Sequence, residues 1–401
     1  MAKESSQRTA GGVRSMRLLR RGTKSASVDY YDYNLLAAVV LLTCFGLVML
    51  YSVSAYEASV DYSNDMFYFA KQALIGAAAF IIMLVGSRID YHRYVQFAPL
   101  LYVGSLVLLF ITKFIGREVN GAKRWIYIGN VISFQPAEIA KLAVILFLPA
   151  LIVKAGRRFR KFRVPFITAC FGFVAAGMTY VFTDNLSTGI IIFGITLALI
   201  IIAHPKPQKL LLALAIILIV IIIAAIVMKL TISADSTSSS FRIRRILTWL
   251  HPEENEDEGG YQIMQALYAI GSGGLFGKGL GNSTQKLGAL PEAQNDMIFS
   301  IICEELGIIG AMIVMLLFVF LLWRLFIIAT NAPDLLGSLI AAGIFAHIAL
   351  QVILNIAVVT NVIPTTGITL PFVSYGGTSI LFLMLEMMLA LSISGQIKEK
   401  G

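Results

Sequence analysis

Residues that could take part in acid–base chemistry or bind charged groups are concentrated between residues 260 and 310, within a chain that is otherwise strongly apolar. Glycine-rich turns there carry Lys278 and Lys286, and Glu292 and Asp296 follow just before an apolar run. Carboxylates accept protons or bind metals, and lysine ammonium groups bind anionic oxygens. In a chain made mostly of apolar membrane helices, the few polar and ionisable residues usually belong to the functional site, so we expect that site here.

Each of these residues also has a purely structural interpretation. Asp296 stands where a helix N-cap is expected, and a capping aspartate needs no further role. Lys278 and Lys286 either lie against an anionic headgroup or are solvated lysines of a flexible loop. The glycine-rich run is not a Walker loop, because Gly279 follows Lys278 where that motif requires serine or threonine.

A second group of charges lies inside the apolar run that follows residue 133. Pro136 suits a first helical turn, and Glu138 and Lys141 share one helix face because they are three residues apart. Charges inside a membrane span are costly, so this pair should face the bundle interior or a water-filled cavity. The alternative is a buried ion pair that only fixes helix packing.

Two further basic clusters are predicted at the outward-facing surface of the membrane that the chain spans. Lys123 and Arg124 precede Trp125, a combination that suits either a site for lipid phosphate or a simple anchor of a helix end. Arg242 and Arg245 alternate with apolar residues at roughly helical spacing. That spacing predicts an amphipathic helix in the interface, which either binds phosphate or only lies on the membrane.

Helix-breaking residues interrupt the apolar pattern near the C-terminus, namely Pro364, Gly367, Pro371, Gly376 and Gly377. Non-helical backbone at membrane depth is tolerated only where protein or a wet cavity shelters it. Ser374 would supply hydrogen bonds there, although an ordinary loop above the bilayer is the alternative. Most of these unusual polar residues are therefore predicted in the outer half of the helix bundle. Together they predict a cavity, open to the outer leaflet, that holds the anionic headgroup of a lipid.

The elements that position these residues follow from composition. Hydrophobic residues make up 58% of the 401 residues, which excludes an ordinary soluble protein. We predict an all-α, polytopic integral membrane protein with about ten transmembrane helices. The predicted spans are residues 34–54, 66–87, 97–114, 133–153, 164–182, 187–203, 210–228, 297–322, 335–355 and 376–393. Residues 1–33 and 397–401 are predicted tails, and residues 34–396 form the membrane domain with a large extracellular loop at 229–296.

Charge predicts the orientation of the chain. The connection between the fourth and fifth spans holds six basic residues, Lys154, Arg157, Arg158, Arg160, Lys161 and Arg163. Such connections stay in the cytoplasm, and with ten spans both termini lie there too. This distribution explains the net charge of +9 without a nucleic-acid partner. The three cysteines lie in apolar runs with no disulfide or metal spacing.

Five motifs, in order, resemble the SEDS family (shape, elongation, division and sporulation proteins). They are NGAKRWI from residue 120, SFQPAEIAKL from 133, GYQIMQALYAIGSGGLFGKGLG from 260, LPEAQNDMIFSIICEELG from 290 and TLPFVSYGGTS from 369. The resemblance extends from residue 33 onward and is strongest to the FtsW/SpoVE branch. Two positions depart from the family pattern. Gln294 and Asn295 stand where His-Thr is common, and Asn185 occupies the place of an aspartate, with Asp184 one position earlier.

The resemblance implies a peptidoglycan glycosyltransferase of the bacterial plasma membrane. Such enzymes polymerise lipid II into glycan strands during cell division and release undecaprenyl diphosphate. They work beside a class B penicillin-binding protein and other divisome membrane proteins. The family's catalytic aspartate falls on Asp296, and its charged pair falls on Glu138 and Lys141. The substrate-binding residues expected here are Lys123, Arg124, Glu138, Lys141, Arg242, Arg245, Lys278, Lys286, Glu292, Ser374, Gly376 and Gly377.

Asp296 has two possible chemical roles in that reaction. As a general base it takes the proton from the acceptor hydroxyl, and burial would favour this by raising the pKa of a carboxylate above its usual value of about 3.9. As a metal ligand it would hold Mg²⁺ or Mn²⁺, a possible cofactor. Two other functions stay open: a lipid II flippase, which would depend on Glu138 and Lys141, and a scaffold without catalysis.

Overall fold

The computed structural model describes residues 29–119, 122–128, 132–161, 163–205, 207–208, 212, 248–250, 252–254 and 260–398. The helices, numbered in chain order within these ranges, are α1 (Tyr33–Tyr62), α2 (Phe67–Gly86), α3 (Tyr91–Gln96), α4 (Ala98–Ile115), α5 (Pro136–Ala155), α6 (Arg163–Thr183), α7 (Leu186–Ala203), α8 (Gly260–Gly273), α9 (Ile298–Asn331), α10 (Leu335–Val359) and α11 (Ser379–Ser394). Short 3₁₀ turns cover Gly156–Arg160 and Pro252–Glu254.

Eight of these helices, α1, α2, α4, α5, α6, α7, α9 and α10, are long and apolar enough to cross a membrane, and α11 is a shorter apolar helix. They match nine of the ten predicted spans, and the prediction of an all-α integral membrane protein is confirmed. Apart from residue 212, the predicted span at 210–228 lies outside the described residues. The eighth span is longer than predicted, because α9 continues to Asn331.

Two small sheets accompany the helices. Strands β2 (Arg117–Val119), β3 (Ala122–Ile128) and β4 (Ile132–Phe134) form an antiparallel sheet in the connection between α4 and α5. Strands β1 (Asp29–Tyr30) and β5 (Ile397–Lys398) pair antiparallel, which joins the described ends of the chain. Aromatic and β-branched residues in the stretch after Lys123 favour strands. The bundle thus has a site end, which carries the β2–β4 sheet and Asp296, and a terminus end, which carries β1 and β5.

Polar side chains cap several of the spans where they begin. The Asp32 carboxylate accepts from the Leu35 N–H at the start of α1, and Asp334 accepts from Gly337 at the start of α10. At the start of α7 the cap is Asn185, whose side-chain oxygen accepts a hydrogen bond from the Thr188 N–H. These caps satisfy N–H groups that have no partner within the helix.

The helix α10 is the centre of the bundle. It packs against α5, α7, α9 and α11, and its apolar residues, such as Leu339, Ile344 and Ile348, are fully buried. Because neighbouring helices surround it, its polar residues can reach several elements at once. This central position decides how the site is assembled.

Helix α9 is broken near its beginning by Gly307, whose φ of 69° and ψ of −172° are not helical. The loop after α8 fills the break with backbone hydrogen bonds. Lys278 N–H donates to the Glu304 carbonyl, and Gly279 N–H donates to the Glu305 carbonyl, both at 2.9 Å. The loop supplies partners that the interrupted helix lacks, which is the condition for irregular backbone at membrane depth.

Candidate active site

Asp296 lies in a buried loop immediately before α9. The residue is 9% exposed, and its backbone carbonyl accepts a hydrogen bond of 2.8 Å from the side-chain amide of Asn355. The N-cap position of α9 falls on Met297, one residue after the aspartate. Two residues earlier, the Gln294 carbonyl accepts from the Tyr375 N–H at 2.9 Å. The Asp296 loop is therefore held by α10 and by the segment before α11.

Glu138 and Lys141 form the ion pair that their spacing predicted. Lys141 Nζ lies 2.9 Å from Glu138 Oε1, and the two side chains are 3% and 8% exposed. Lys141 also donates to Gln351 Oε1 at 3.3 Å, and Gln351 donates to the Thr369 carbonyl at 3.0 Å. The pair faces the bundle interior near the start of α5, which is the placement expected for charges inside a span.

One face of α10 connects this ion pair to the Asp296 loop. Gln351 and Asn355 are four residues apart and therefore neighbours on the helix surface. Gln351 binds Lys141, while Asn355 binds the carbonyls of Asp296 and Ile368. The ion pair predicted in span four and the aspartate predicted just before span eight are thus connected through α10.

Additional acids surround the loop. Gln294 Nε2 donates to Glu57 Oε1 of α1 at 2.9 Å, and the Glu57 carboxylate interacts electrostatically with Glu292 and Asp61. Glu292 has a left-handed backbone with φ of 54°, and it accepts a hydrogen bond from the Asn295 side-chain amide. The site end therefore presents several carboxylates beside Asp296.

The two loop lysines are paired with glutamates of α9. Lys278 Nζ lies 2.6 Å from Glu304 Oε1, and Lys286 Nζ lies 2.7 Å from Glu305 Oε1. Ser52 of α1 joins the second pair, donating to Glu305 at 2.8 Å. Both glutamates are completely buried. Phosphate binding by the two lysines stays a prediction, and the pairing adds a structural role that the sequence did not reveal.

The remaining predicted substrate-binding residues have separate surroundings. Lys123 and Arg124 lie on β3, and Arg124 donates to the Asp184 carbonyl at 3.0 Å. Ser374 is buried and accepts from the Leu370 N–H at 2.8 Å, in the tight turn before Gly376 and Gly377. Their binding roles stay predictions. Arg242 and Arg245 lie outside the described residues.

Tyr375 closes the turn beside the Asp296 loop. Its ring contacts Tyr68 of α2 edge to face, with centroids 5.0 Å apart. Burial raises the pKa of the Tyr375 hydroxyl to about 12, so this group stays protonated at neutral pH. The interrupted segment before α11 is thus packed into the protein, as expected for non-helical backbone at this depth.

Comparison with known proteins decides the family. The FtsW/RodA/SpoVE family model, described as "Cell cycle protein", matches residues 33–399. Stage V sporulation protein E of Bacillus subtilis is 38% identical over 374 residues, which cover 93% of this chain and 98% of that protein. This chain belongs to the SEDS family. A SEDS relative from Trichlorobacter lovleyi, named probable peptidoglycan glycosyltransferase FtsW, is 35% identical over 92% of this chain and 94% of its own length.

Solved structures show the same SEDS fold. A chain from a peptidoglycan synthase complex, described as coordinating polymerization and crosslinking, superposes with a TM-score of 0.72 at 24% identity, covering 91% of this chain and 97% of that one. The rod-shape-determining protein RodA of Thermus thermophilus superposes with a TM-score of 0.65 at 24% identity, covering 92% and 97%.

An apolar groove opens beside one of the lysine pairs of this SEDS protein. The groove has a volume of about 420 Å³ and lies between α1, α2 and the loop before α9. Tyr51, Met66, Phe69 and Leu280 line it, and Ser52 and Lys286 lie at its polar edge. The groove therefore combines an apolar surface with an ammonium group.

A resident divalent metal would need several carboxylate, histidine or cysteine side chains close together. Within the described ranges there is no group of three or more histidine, cysteine, aspartate or glutamate side chains placed to hold one ion. A site made by protein ligands alone therefore does not fit this part of the chain. Mg²⁺ is commonly held by one or two carboxylates together with substrate phosphates.

Sequence reasoning missed four buried polar residues, namely Gln351, Asn355, His347 and Glu386. The first two organise the site, and His347 Nδ1 lies 2.8 Å from Glu386 Oε2 between α10 and α11, with both side chains 1% exposed. The available signal was polar residues inside apolar runs, with His347, Gln351 and Asn355 at four-residue spacing. Glu57 was also missed, because it lies beyond the predicted end of the first span at residue 54, where α1 in fact continues to Tyr62.

Proposed function

We propose that this SEDS protein is a peptidoglycan glycosyltransferase that polymerises lipid II into glycan strands during cell division. The supporting observation is Asp296, which lies in a buried and hydrogen-bonded loop at the site end. Full-length relatives bearing the name peptidoglycan glycosyltransferase support the same activity. The position suits proton transfer, because a carboxylate held in a fixed loop can accept the proton of a hydroxyl group placed beside it.

In the proposed reaction, the acceptor hydroxyl oxygen attacks the anomeric carbon of the donor sugar. A new carbon–oxygen bond forms while the bond to the diphosphate breaks, and undecaprenyl diphosphate leaves with the electron pair. Asp296 takes the hydroxyl proton and later passes it to water. The leaving group is already a good one, so no second carboxylic acid is needed to protonate it.

The departing diphosphate needs positive charge near it. Lys123, Arg124, Arg242 and Arg245 are proposed to provide this charge, because the ammonium groups of Lys278 and Lys286 are engaged by glutamates. We propose that Mg²⁺ or Mn²⁺ arrives on the substrate diphosphate rather than in a resident site. The alternative role of Asp296 as a metal ligand predicts that a high Mn²⁺ concentration restores some activity to Asp296→Asn, whereas added metal cannot replace a lost base.

The groove beside Lys286 suits the lipid part of the substrate. Its lining of Tyr51, Met66, Phe69 and Leu280 is apolar, and it opens toward the faces of α1 and α2. We propose that the polyprenyl chain lies there, which would bring the attached diphosphate to the site end. Burial of a long hydrocarbon chain against such a surface is favourable.

The orientation and partner follow the same proposal. Basic connections lie at the terminus end, where Arg88, Arg93 and the residues 154–163 are found, and this predicts that both termini are cytoplasmic. The site end then faces the outside, where glycan is made. A class B penicillin-binding protein is the proposed partner, together with other membrane proteins of the division machinery.

The deciding experiment is polymerisation of labelled lipid II by the purified protein with its penicillin-binding partner. The partner carries an inactive transpeptidase serine, so that uncrosslinked strands accumulate. We expect long glycan from the wild type and none from Asp296→Asn, with and without Mn²⁺. Glu254→Gln, which changes an exposed acid of the 3₁₀ turn Pro252–Glu254, is the control and should retain activity.

The two other functions predict different results. A flippase gives no glycan from either protein and loses lipid transport in Glu138 and Lys141 variants. A scaffold supports growth of cells that carry only Asp296→Asn. Glycan from Asp296→Asn would overturn the assignment of the base, while the absence of glycan from the wild type bound to its partner would overturn the enzymatic function.

A further inference from the structure

Asn355 is the residue that touches both segments from which the site is built. It is completely buried, four residues before the end of α10. Its Nδ2 donates to the carbonyl of Asp296 at 2.8 Å and to the carbonyl of Ile368 at 2.7 Å. Both acceptors are carbonyl oxygens, so the amide must turn its NH₂ group toward them. Each hydrogen of that group is thus directed to a different loop.

The two loops joined by Asn355 also contact each other. The Tyr375 N–H donates to the Gln294 carbonyl at 2.9 Å, a direct link between the segment before α11 and the Asp296 loop. One turn earlier on α10, Gln351 reaches Lys141 and the Thr369 carbonyl. The position of the Asp296 backbone relative to the Glu138–Lys141 pair is therefore set through α10.

The other half of the Asn355 amide makes no comparable contact. Its Oδ1 is buried and has no hydrogen-bond partner among the described residues. A buried acceptor without a partner lowers the stability of a fold. The unpaired oxygen offsets part of what the two donated hydrogen bonds contribute to stability, and the orientation of the amide serves the two carbonyls.

We propose that Asn355 is a positioning residue for Asp296. By holding the carbonyl of Asp296, it fixes the backbone from which the carboxylate projects, and by holding the carbonyl of Ile368, it ties that backbone to the segment before α11. The inference rests on the proposed function in that Asp296 is taken as the base. A displacement of about 1 Å at a reacting group lowers a rate by up to about 100-fold.

The test is the kinetics of Asn355→Leu in the complete complex with the penicillin-binding partner, using lipid II. Leucine has nearly the same shape but no donor. We expect kcat to fall about 10- to 100-fold with KM nearly unchanged, because substrate contacts remain while the base is misplaced. Rates are normalised to folded, partner-bound protein, and thermal midpoints are recorded in parallel.

A matched control separates positioning from general stability. Ser392 is a buried residue of α11 whose hydroxyl donates to the Ile89 carbonyl at 2.6 Å, at the terminus end. Ser392→Ala removes a similar bond far from the site, and its kcat should stay at the wild-type value. Asn355→Ser, which keeps a donor able to reach one carbonyl at most, should have an intermediate kcat even if the leucine variant folds poorly.

A double variant tests whether Asn355 acts through Asp296. Asp296→Glu keeps a carboxylate but displaces it, and Asn355→Leu should then lower kcat less than it does in the wild type. Full additivity, or a wild-type kcat for Asn355→Leu, would refute the positioning role. Two results separate the proposals. Glycan from Asp296→Asn would refute the assignment of the base in the proposed function. An inactive Asp296→Asn together with a fully active Asn355→Leu would refute only the positioning role of Asn355.

Discussion

The Lys278 ammonium lies 2.6 Å from a carboxylate oxygen of Glu304, a residue with no exposed surface. The same carboxylate accepts hydrogen bonds from Ser283 and from the N–H and hydroxyl of Thr284. Next to it on α9, Glu305 holds Lys286 in the same way. Two consecutive helix residues thus fasten the loop that leads to Asp296.

We predict that Lys278→Met lowers the free energy of unfolding by roughly 3 kcal/mol, because it leaves a buried carboxylate without its cation. The double variant Lys278→Met/Glu304→Gln should lose less than the sum of the single losses. Thermal or denaturant unfolding in lipid nanodiscs measures both. Lys113→Met, at an exposed position of α4, is the control and should stay within about 0.5 kcal/mol of the wild type. A loss of only about 0.5 kcal/mol in the free energy of unfolding of Lys278→Met would contradict the prediction.

The Glu138–Lys141 pair gives a second stability test that also addresses function. Lys141→Met leaves Glu138 buried and unpaired, so we predict a loss of about 3–5 kcal/mol, partly recovered in Lys141→Met/Glu138→Gln. Polymerisation should fall in the single variants but less than in Asp296→Asn, because Asp296 takes the proton. The ratio of glycan made per folded protein measures this. The reverse order of severity, with loss of lipid flipping, would favour the transporter.

Gly307 provides a prediction about the break in α9. Its φ is 69°, and a Cβ there would overlap the backbone of Leu275 and Gly277. We predict that Gly307→Ala lowers the free energy of unfolding by at least about 2 kcal/mol and displaces the loop before Asp296, with loss of activity. Protease accessibility of residues 274–297 reports the displacement.

Gly104→Ala is the matched control for that glycine. Gly104 lies within α4, and a Cβ there meets no atom within 4 Å. Alanine is the better helix former, so in this position it should maintain or raise stability. If both glycine variants behaved alike, the close approach of the loop to Gly307 would not matter for the fold.

A cluster at the terminus end predicts pH dependence. His92 lies 2.7 Å from Asp90 and 2.8 Å from Asp334. Burial acts to lower the pKa of His92, but hydrogen bonds to the two aspartates outweigh it and raise that pKa. For Asp90, burial acts to raise the pKa, yet hydrogen bonds from Gln396 and His92 lower it to about 2.

The signs define a window of stability. The contribution of His92 is complete below its unfolded pKa of about 6.5 and disappears as pH rises through the higher folded pKa. The contribution of Asp90 is present above about pH 3.9 and is lost as pH falls toward 2. The wild-type thermal midpoint should fall as pH rises above 6.5, and we predict that it falls less steeply in His92→Asn. The difference corresponds to about 0.5 kcal/mol in the free energy of unfolding, because solvent screens these partly exposed groups. An unchanged slope would show that the cluster does not contribute.

The sequence by itself determined the class of the protein and the location of nine of the ten predicted spans. A transmembrane helix satisfies its own backbone and needs only a run of about 20 apolar residues, so the signal lies within each segment. The Glu138–Lys141 pair was also predictable, because residues three apart on a helix are neighbours whatever surrounds them. The motif around Asp296 carried the family resemblance in the same local way.

The tertiary structure alone decided how the polar residues are paired. Asn355 reaches Asp296 across 59 residues, and Lys286 shares its charge with Glu305 and a hydroxyl of α1. Nothing in the spacing of Lys278 and Lys286 distinguishes a phosphate ligand from a partner of a buried glutamate. Which partner a charge finds depends on how helices far apart in the chain pack, since burial makes an unpaired polar group costly and selects the arrangement that satisfies it.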